Sequence, residues 1–189
     1  MRILSNLIPA LQKVCDVLAD ATGIRIVPDL LVHTRNEMEV TLAVPGYCQT
    51  QSYTCGFSAG LTVLHTFQPQ LSAEHFFRLV APDEQTGTST TRLVKALRKC
   101  RVGVSWRRNL DWTRIRGLID KGYPIITTVT TGDPTVHHWV VVYGYGLSPN
   151  RVFIAGNGLP LFARKKYPWS EFRKNMWGEK GFGLACWGQ

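Results

Sequence analysis

A change of texture at Pro124 constrains the fold more than any other feature of this sequence. Downstream of it, "PIITTVTT", "HHWVVVYGYG", "RVFIAGNG" and "LPLFARKK" are short β-branched or aromatic runs separated by Gly, Pro and Asn, the pattern of an antiparallel sheet. Upstream, apolar residues recur at helical spacing. Phe57, Leu61 and Leu64 mark a helix from Cys55 to about Phe67, with Ser52 and Thr54 as available caps. "SAEHFFRLV" predicts a second helix, capped by Ser72 with Glu74 in its first turn. "TSTTRLVKALRKC" predicts a third, and "LDWTRIRGLIDKGYP" a fourth closed by Gly122 and Pro124. "EVTLAVPGY", residues 39 to 47, alternates like a strand. Helices first and strands second predict an α+β fold whose halves pack together, with any shared site in the cleft between them.

The 189 residues suffice for one domain plus a small extension. Leu4, Leu7, Ile8, Leu11, Val14, Cys15 and Leu18 predict an N-terminal amphipathic helix that Gly23 stops. Residues 1–38 are therefore read as a helical extension and residues 39–189 as the main domain. Asn6, Gln12, Lys13 and Asp16 interrupt the apolar run that a signal peptide needs, and no segment is a membrane span. Five cysteines, at 15, 48, 55, 100 and 186, form neither a CxxC pair nor an even framework. A reducing, cytoplasmic setting is expected. The formal charge of +9 reflects basic clusters such as Lys95, Arg98, Lys99 and Arg101, read as a solvated surface able to attract an anionic partner. No nucleic-acid motif accompanies them, so nucleic-acid binding is not expected. No HExxH, phosphate loop or dinucleotide fingerprint is present, and neither metal nor cofactor is expected.

The chemistry centres on "QTQSYTCGFSAG", residues 49 to 60, which places Cys55 at the predicted helix start. Cysteine attacks as a thiolate, and a free thiol with a pKa of about 8.5 is mostly protonated at neutral pH. Moving that value below 7 takes about 2 kcal/mol, at about 1.36 kcal/mol per unit. A helix N-terminus ordinarily supplies about 0.3 to 1 kcal/mol. A second cation is therefore needed, and an imidazolium is the natural one.

Five histidines compete for that role. His65 lies ten residues along the same helix, roughly 15 Å from the sulfur, and is excluded. His33 and His75 lie in surroundings that suggest surface or capping roles. His137 and His138 open the most strongly β segment, where neighbouring side chains face opposite ways, so at most one can face a given cysteine. His138 shares its face with Val140 and Val142. An oxyanion hole is also required, with the Cys55 N–H as one donor and the amide of Gln49 or Gln51 as the other.

Gln49, then Cys55-Gly56 at a helix start, then "HWVVVYGYG" from His138 resemble the papain-like cysteine peptidases, most closely the bacteriocin-processing (double-glycine leader) peptidases and their free-standing relatives. In that group a glutamine precedes Cys-Gly by six positions, which implies Gln49 rather than Gln51. Its histidine opens a valine-rich strand ending in a glycine-aromatic turn, which implies His138 rather than His137. "GTSTTRLVKALRK" and "LIDKGYPIITTV" are similar to the group's middle region, so the resemblance spans roughly residues 43 to 160. The group orients its histidine with an aspartate or asparagine in the following strand, often before proline. Here "RVFIAGNGLP" holds no Asp-Pro, and Asn157 is the suitable side chain, within a Gly-Asn-Gly that is also a hairpin-turn signal.

The resemblance implies a papain-like cysteine peptidase in which Cys55 attacks, His138 forms the ion pair, Gln49 and the Cys55 N–H hold the oxyanion, and Asn157 orients the imidazole. The implied substrate is a peptide or protein, with a glycine-containing cleavage site or, from the basic surface, an acidic character. A deamidase or acyltransferase on the same residues, or a catalytically silent peptide-binding module, are the alternatives. Cys15, Cys48, Cys100 and Cys186 are read as buried or incidental thiols, and Trp169, Trp177 and Trp187 as packing or groove residues.

Overall fold

The computed structural model describes residues 24–27, 38–49, 51–130, 137–156, 164–179 and 181–189. The predicted helix over residues 4–20 and Cys15 lie outside these. Within the segment expected as a helical extension, β1 (Ile24–Val27) is a strand that pairs antiparallel with β3 (Gly46–Gln49). The segment read as one strand over 39–47 is divided at Pro45 between β2 (Glu39–Thr41) and β3.

The four helices expected between Cys55 and Pro124 form. They are α1 (Cys55–Phe67), α2 (Ala73–Val80), α3 (Thr90–Lys99) and α4 (Trp112–Asp120). Ser72, Ser89 and Asp111 each accept a hydrogen bond from the backbone N–H three residues on, which fixes where the last three begin. Helix α1 differs, because its first ten residues are all buried. A helix covered all round tolerates small residues on every side, and "CGFSAG" supplies them.

Among the described residues the main sheet has seven strands. In spatial order they are β4 (Val102–Arg107), β9 (Gly183–Gly188), β5 (Ile125–Thr130), β6 (His137–Leu147), β7 (Asn150–Ala155) and β8 (Arg164–Pro168), with β2 also on β6. Every pairing is antiparallel. Strand β6 is the spine, paired with β5 over 137–142 and with β7 over 141–147. A register shift between Val142 and Gly144 bends it. Glycine is required there, since a Cβ on Gly144 would lie 2.6 Å from the Val40 carbonyl oxygen.

Helix α1 packs on β6, and one core unites Phe57, Leu61 and Leu64 with Val140, Val142 and Ile126. After β8, a short helix α5 (Trp169–Glu171) and a π turn (Phe172–Met176) carry Trp169, Phe172 and Trp177 into one aromatic cluster with Trp112. Trp187 packs on Tyr123 and covers Gly103. These tryptophans pack, as their more frequent use suggests.

Candidate active site

Residues 52–54 form a 3-10 turn that runs directly into α1. The turn removes both expected caps. Thr54 occupies the N-cap position without a side-chain cap, and its hydroxyl turns back to donate to the Gln51 carbonyl at 2.9 Å. The helix's first donors therefore lack a hydroxyl partner and are available to a neighbouring group. That group is the Cys55 thiol, which the N–H groups of Cys55 and Gly56 approach, joined by the Trp139 N–H from β6.

Cys55 is 8% exposed. Desolvation by burial is the largest influence on its thiol and pushes its pKa up, against the three backbone donors, which favour the thiolate. The donors alone do not offset burial, so a cation is still required for a thiolate at neutral pH.

Trp139 locates the thiol against the two histidines that open β6. Among the described residues β7 pairs with β6 as far as Val141↔Ala155, and the thiol meets β6 beyond that point. The Trp139 nitrogen belongs to the peptide unit that joins it to His138, whereas His137 is one Cα step, about 3.8 Å, further along. His138 is half-buried and pairs with Val129, while His137 is exposed and pairs with Thr130. His137 lines the same cleft as Cys55, packed beside Gly178, whose Cβ position lies 2.9 Å from His137 Nδ1.

His65 and His75 lie away from the thiol. His65 Nε2 donates to the Leu71 carbonyl at 2.8 Å, which leaves Nδ1 to accept from the Tyr47 hydroxyl. Burial lowers its pKa, so it is a neutral structural residue joining α1 to β3. His75 is exposed on α2, and His33 lies outside the described residues.

Gln49 is buried at the end of β3, and its Nε2 donates to the carbonyls of Gln51 at 3.1 Å and Ser52 at 3.4 Å. Two acceptors on one side fix the amide orientation, and its Oε1 has no partner among the described residues. Gln49 thus braces the turn that delivers Cys55. Gln51 is exposed and contributes its carbonyl to that brace. Asn157 lies outside the described residues.

The thiol opens into a cleft of about 400 Å³. One wall is the loop 84–88, held by reciprocal backbone hydrogen bonds between Asp83 and Gly87. Thr88 of this loop packs directly on Gly56, where a Cβ would lie 2.5 Å from Thr88 Cβ. This contact gives a steric reason for glycine after the cysteine. Thr128, His137, Trp139 and Glu179 line it as well. Sequence reasoning missed Thr88, Thr128 and Glu179, because only the register of β5 against β6 and the fold-back of residues 177–182 bring them here. Among the described residues, no cluster of three or more His, Cys, Asp or Glu is placed to hold a metal ion. No helix among them is long and apolar enough to cross a membrane.

A family model described as the Peptidase C39-like family matches residues 41–183. No curated protein matches the chain. Among solved structures, a double glycine motif protease from an AMS/PCAT transporter, in complex with its leader peptide, is similar at a TM-score of 0.60 and 18% identity, covering 77% of this chain and 92% of that one. The peptidase domain of Streptococcus ComA, a bifunctional ABC transporter of a quorum sensing pathway, is similar at 0.61 and 20% identity, covering 75% and 96%. The corresponding domain from Streptococcus mutans gives 0.50 and 23%, covering 74% and 94%. The fold is the papain-like α+β arrangement expected from the sequence, with the cysteine at a helix N-terminus packed on the antiparallel sheet that carries the histidines.

Proposed function

From the membership of this chain in the Peptidase C39-like family, we propose that it is a cysteine peptidase that cleaves a peptide or protein substrate with Cys55 as nucleophile and His138 as its base. The observation that carries this reading is the convergence of the Cys55, Gly56 and Trp139 N–H groups on the Cys55 sulfur at the mouth of a cleft. In the Michaelis complex the imidazolium of His138 supplies the cation that desolvation makes necessary, and the thiolate attacks the scissile carbonyl. His138 then protonates the leaving amine, and water releases the acyl-enzyme. The Cys55 N–H serves the oxyanion, and Gln49 joins it by giving up its longer contact, to the Ser52 carbonyl. Asn157 is proposed to orient the imidazole.

The substrate we infer carries a glycine-containing cleavage site, as fits the double glycine motif named for the structural neighbour. Deamidation or acyl transfer on the same residues differs only in what leaves and what attacks. A second reading makes His137 the base, favoured by its position in the cleft beside Cys55. The experiment is a set of variants, Cys55→Ala, His138→Ala and His137→Ala, assayed for turnover of Gly-Gly peptides and for labelling by a thiol-reactive probe. Cys55→Ala is expected to abolish both, and His138→Ala to cost at least about 100-fold in kcat, the scale of general-base loss. Full turnover in Cys55→Ala refutes the mechanism. A loss confined to His137→Ala transfers the base to that residue.

A further inference from the structure

We propose that the cleft selects a substrate with a cationic side chain, lysine or arginine, beside the scissile bond, through the carboxylates of Glu84 and Glu179. This rests on the reading of Cys55 as the reactive centre. Glu84 and Glu179 reach the cleft from separate segments, and both are exposed. Neither forms an ion pair among the described residues, where Glu74 and Glu39 are the glutamates in salt bridges. Among the described residues no lysine or arginine lines this cleft, although the chain carries 22 of them against 13 acidic residues. The cations gather elsewhere, as in the separate cavity of about 370 Å³ lined by Arg107, Arg114 and Lys121. The carboxylates of the cleft lining are therefore opposite in sign to the net charge, and the acidic substrate expected from the whole chain is not the one this cleft fits.

An independent feature marks the same cleft as a place for a ligand. Thr88 and Thr128 line it from separate segments at 6% and 4% exposure, and the hydroxyl oxygen of each is buried with no hydrogen-bond partner among the described residues. Buried polar groups are normally satisfied. Two orphaned hydroxyls in the lining of the Cys55 cleft suit an extended peptide, whose main chain offers both donors and acceptors. The carboxylates then read the side chain of a backbone held between them.

The test uses fluorescein-labelled peptides with a central Gly-Gly flanked on both sides by Lys, Gln or Glu. Binding to the full-length Cys55→Ala chain is measured by anisotropy, and kcat/KM by wild-type cleavage. The Lys peptide is expected to exceed the Glu peptide by about threefold to tenfold, since solvent-exposed charge pairs are each worth only a few-fold. The preference should shrink as salt rises from 0.05 to about 0.5 M. Glu84→Gln with Glu179→Gln should bring the Lys-to-Glu ratio close to one. A preference of the parent chain for the Glu peptide, or a Lys preference that survives the double substitution, overturns the proposal. If the wild type cleaves nothing but the Cys55→Ala chain shows the preference and loses it on double substitution, the specificity stands and the peptidase reading fails.

Discussion

Substituting Gly56 by Ala probes the cleft wall and the helix start together. The added Cβ would come within 2.5 Å of Thr88 Cβ and 2.9 Å of its Cγ2 and Oγ1, closer than nonbonded carbons approach. Thr88 is 6% exposed and cannot rotate out of the way, because its own Cβ is the nearest atom. The loop 84–88 must shift as a unit. Overpacking of this kind costs about 1 to 3 kcal/mol, and the gain of alanine over glycine in a helix returns up to about 1 kcal/mol. A net loss of about 1 to 2 kcal/mol should appear as a lower urea midpoint and, at roughly 2 to 4 °C per kcal/mol for a chain this long, a lower Tm. A double-mutant cycle isolates the contact. Thr88→Gly in the Gly56→Ala background should recover stability relative to its effect in the parent, whereas Thr88→Ala keeps the clashing Cβ and should not. The same displacement carries Glu84 away from Cys55, so kcat/KM for Gly-Gly peptides should fall with stability. Gly56→Ala as stable and active as the parent, with no coupling to Thr88, would refute the steric reasoning.

Two further outcomes follow from buried groups. Burial raises the pKa of Cys55, Cys100 and Cys186, most strongly for the fully enclosed Cys186. The folded chain therefore keeps thiol protons that the unfolded chain releases. Stability should be full below the unfolded thiol value of about 8.5 and fall as pH rises above it, by up to about 1.4 kcal/mol per unit for each such thiol. The urea midpoint at pH 10 should lie below that at pH 8, by less in Cys186→Ala, and a flat profile would contradict the burial. Thr127→Val removes a hydroxyl that donates to the Phe182 carbonyl at 2.8 Å and accepts from Trp177 Nε1 at 2.8 Å. Because Trp177 Nε1 also reaches the Phe182 carbonyl, at 3.1 Å, neither partner is orphaned. The loss, measured by urea unfolding, should therefore stay near 1 kcal/mol, at the low end for a buried hydrogen bond.

The helices were legible because their signals are local. Ser72, Ser89 and Asp111 cap the chain where the periodicity begins. Strands β5 to β7 were legible for the same reason, being β-branched or aromatic runs bounded by turn residues. Strand β8 shares only the basic end of "LPLFARKK", whose other residues lie outside the described ones. Strands β4 and β9 were not legible. "VGVSWR" follows a helix among basic residues, and "GLACWG" is framed by glycines, and neither carries enough strand propensity to stand out. Each is held by the other in a six-residue ladder in which Gly103 makes room for the Trp187 ring. Such a match is tertiary and exists only once both segments are in place. The expected hydroxyl cap on α1 failed for a comparable reason. A 3-10 turn over 52–54 carries Thr54 round to the Gln51 carbonyl.

That missing cap bears on the chemistry. A serine or threonine cap would take up an N–H at the start of α1. Here the donors of Cys55 and Gly56 go to sulfur instead, and β6 adds the Trp139 N–H. The sequence could locate the cysteine and narrow the histidines to two neighbours, because helical rise and strand parity are fixed by covalent geometry. It could not supply the third donor, which depends on β6 packing against the start of α1. Nor could it reveal the carboxylates of Glu84 and Glu179, which lie 95 positions apart and share a cleft only after folding. Desolvation, and not charge, sets the demand on the base at Cys55, because burial is what raises its pKa and backbone donors are what oppose it. A lysine or arginine bound at the carboxylates therefore acts through docking, and its advantage should be of the same size in kcat/KM and in binding to the Cys55→Ala chain.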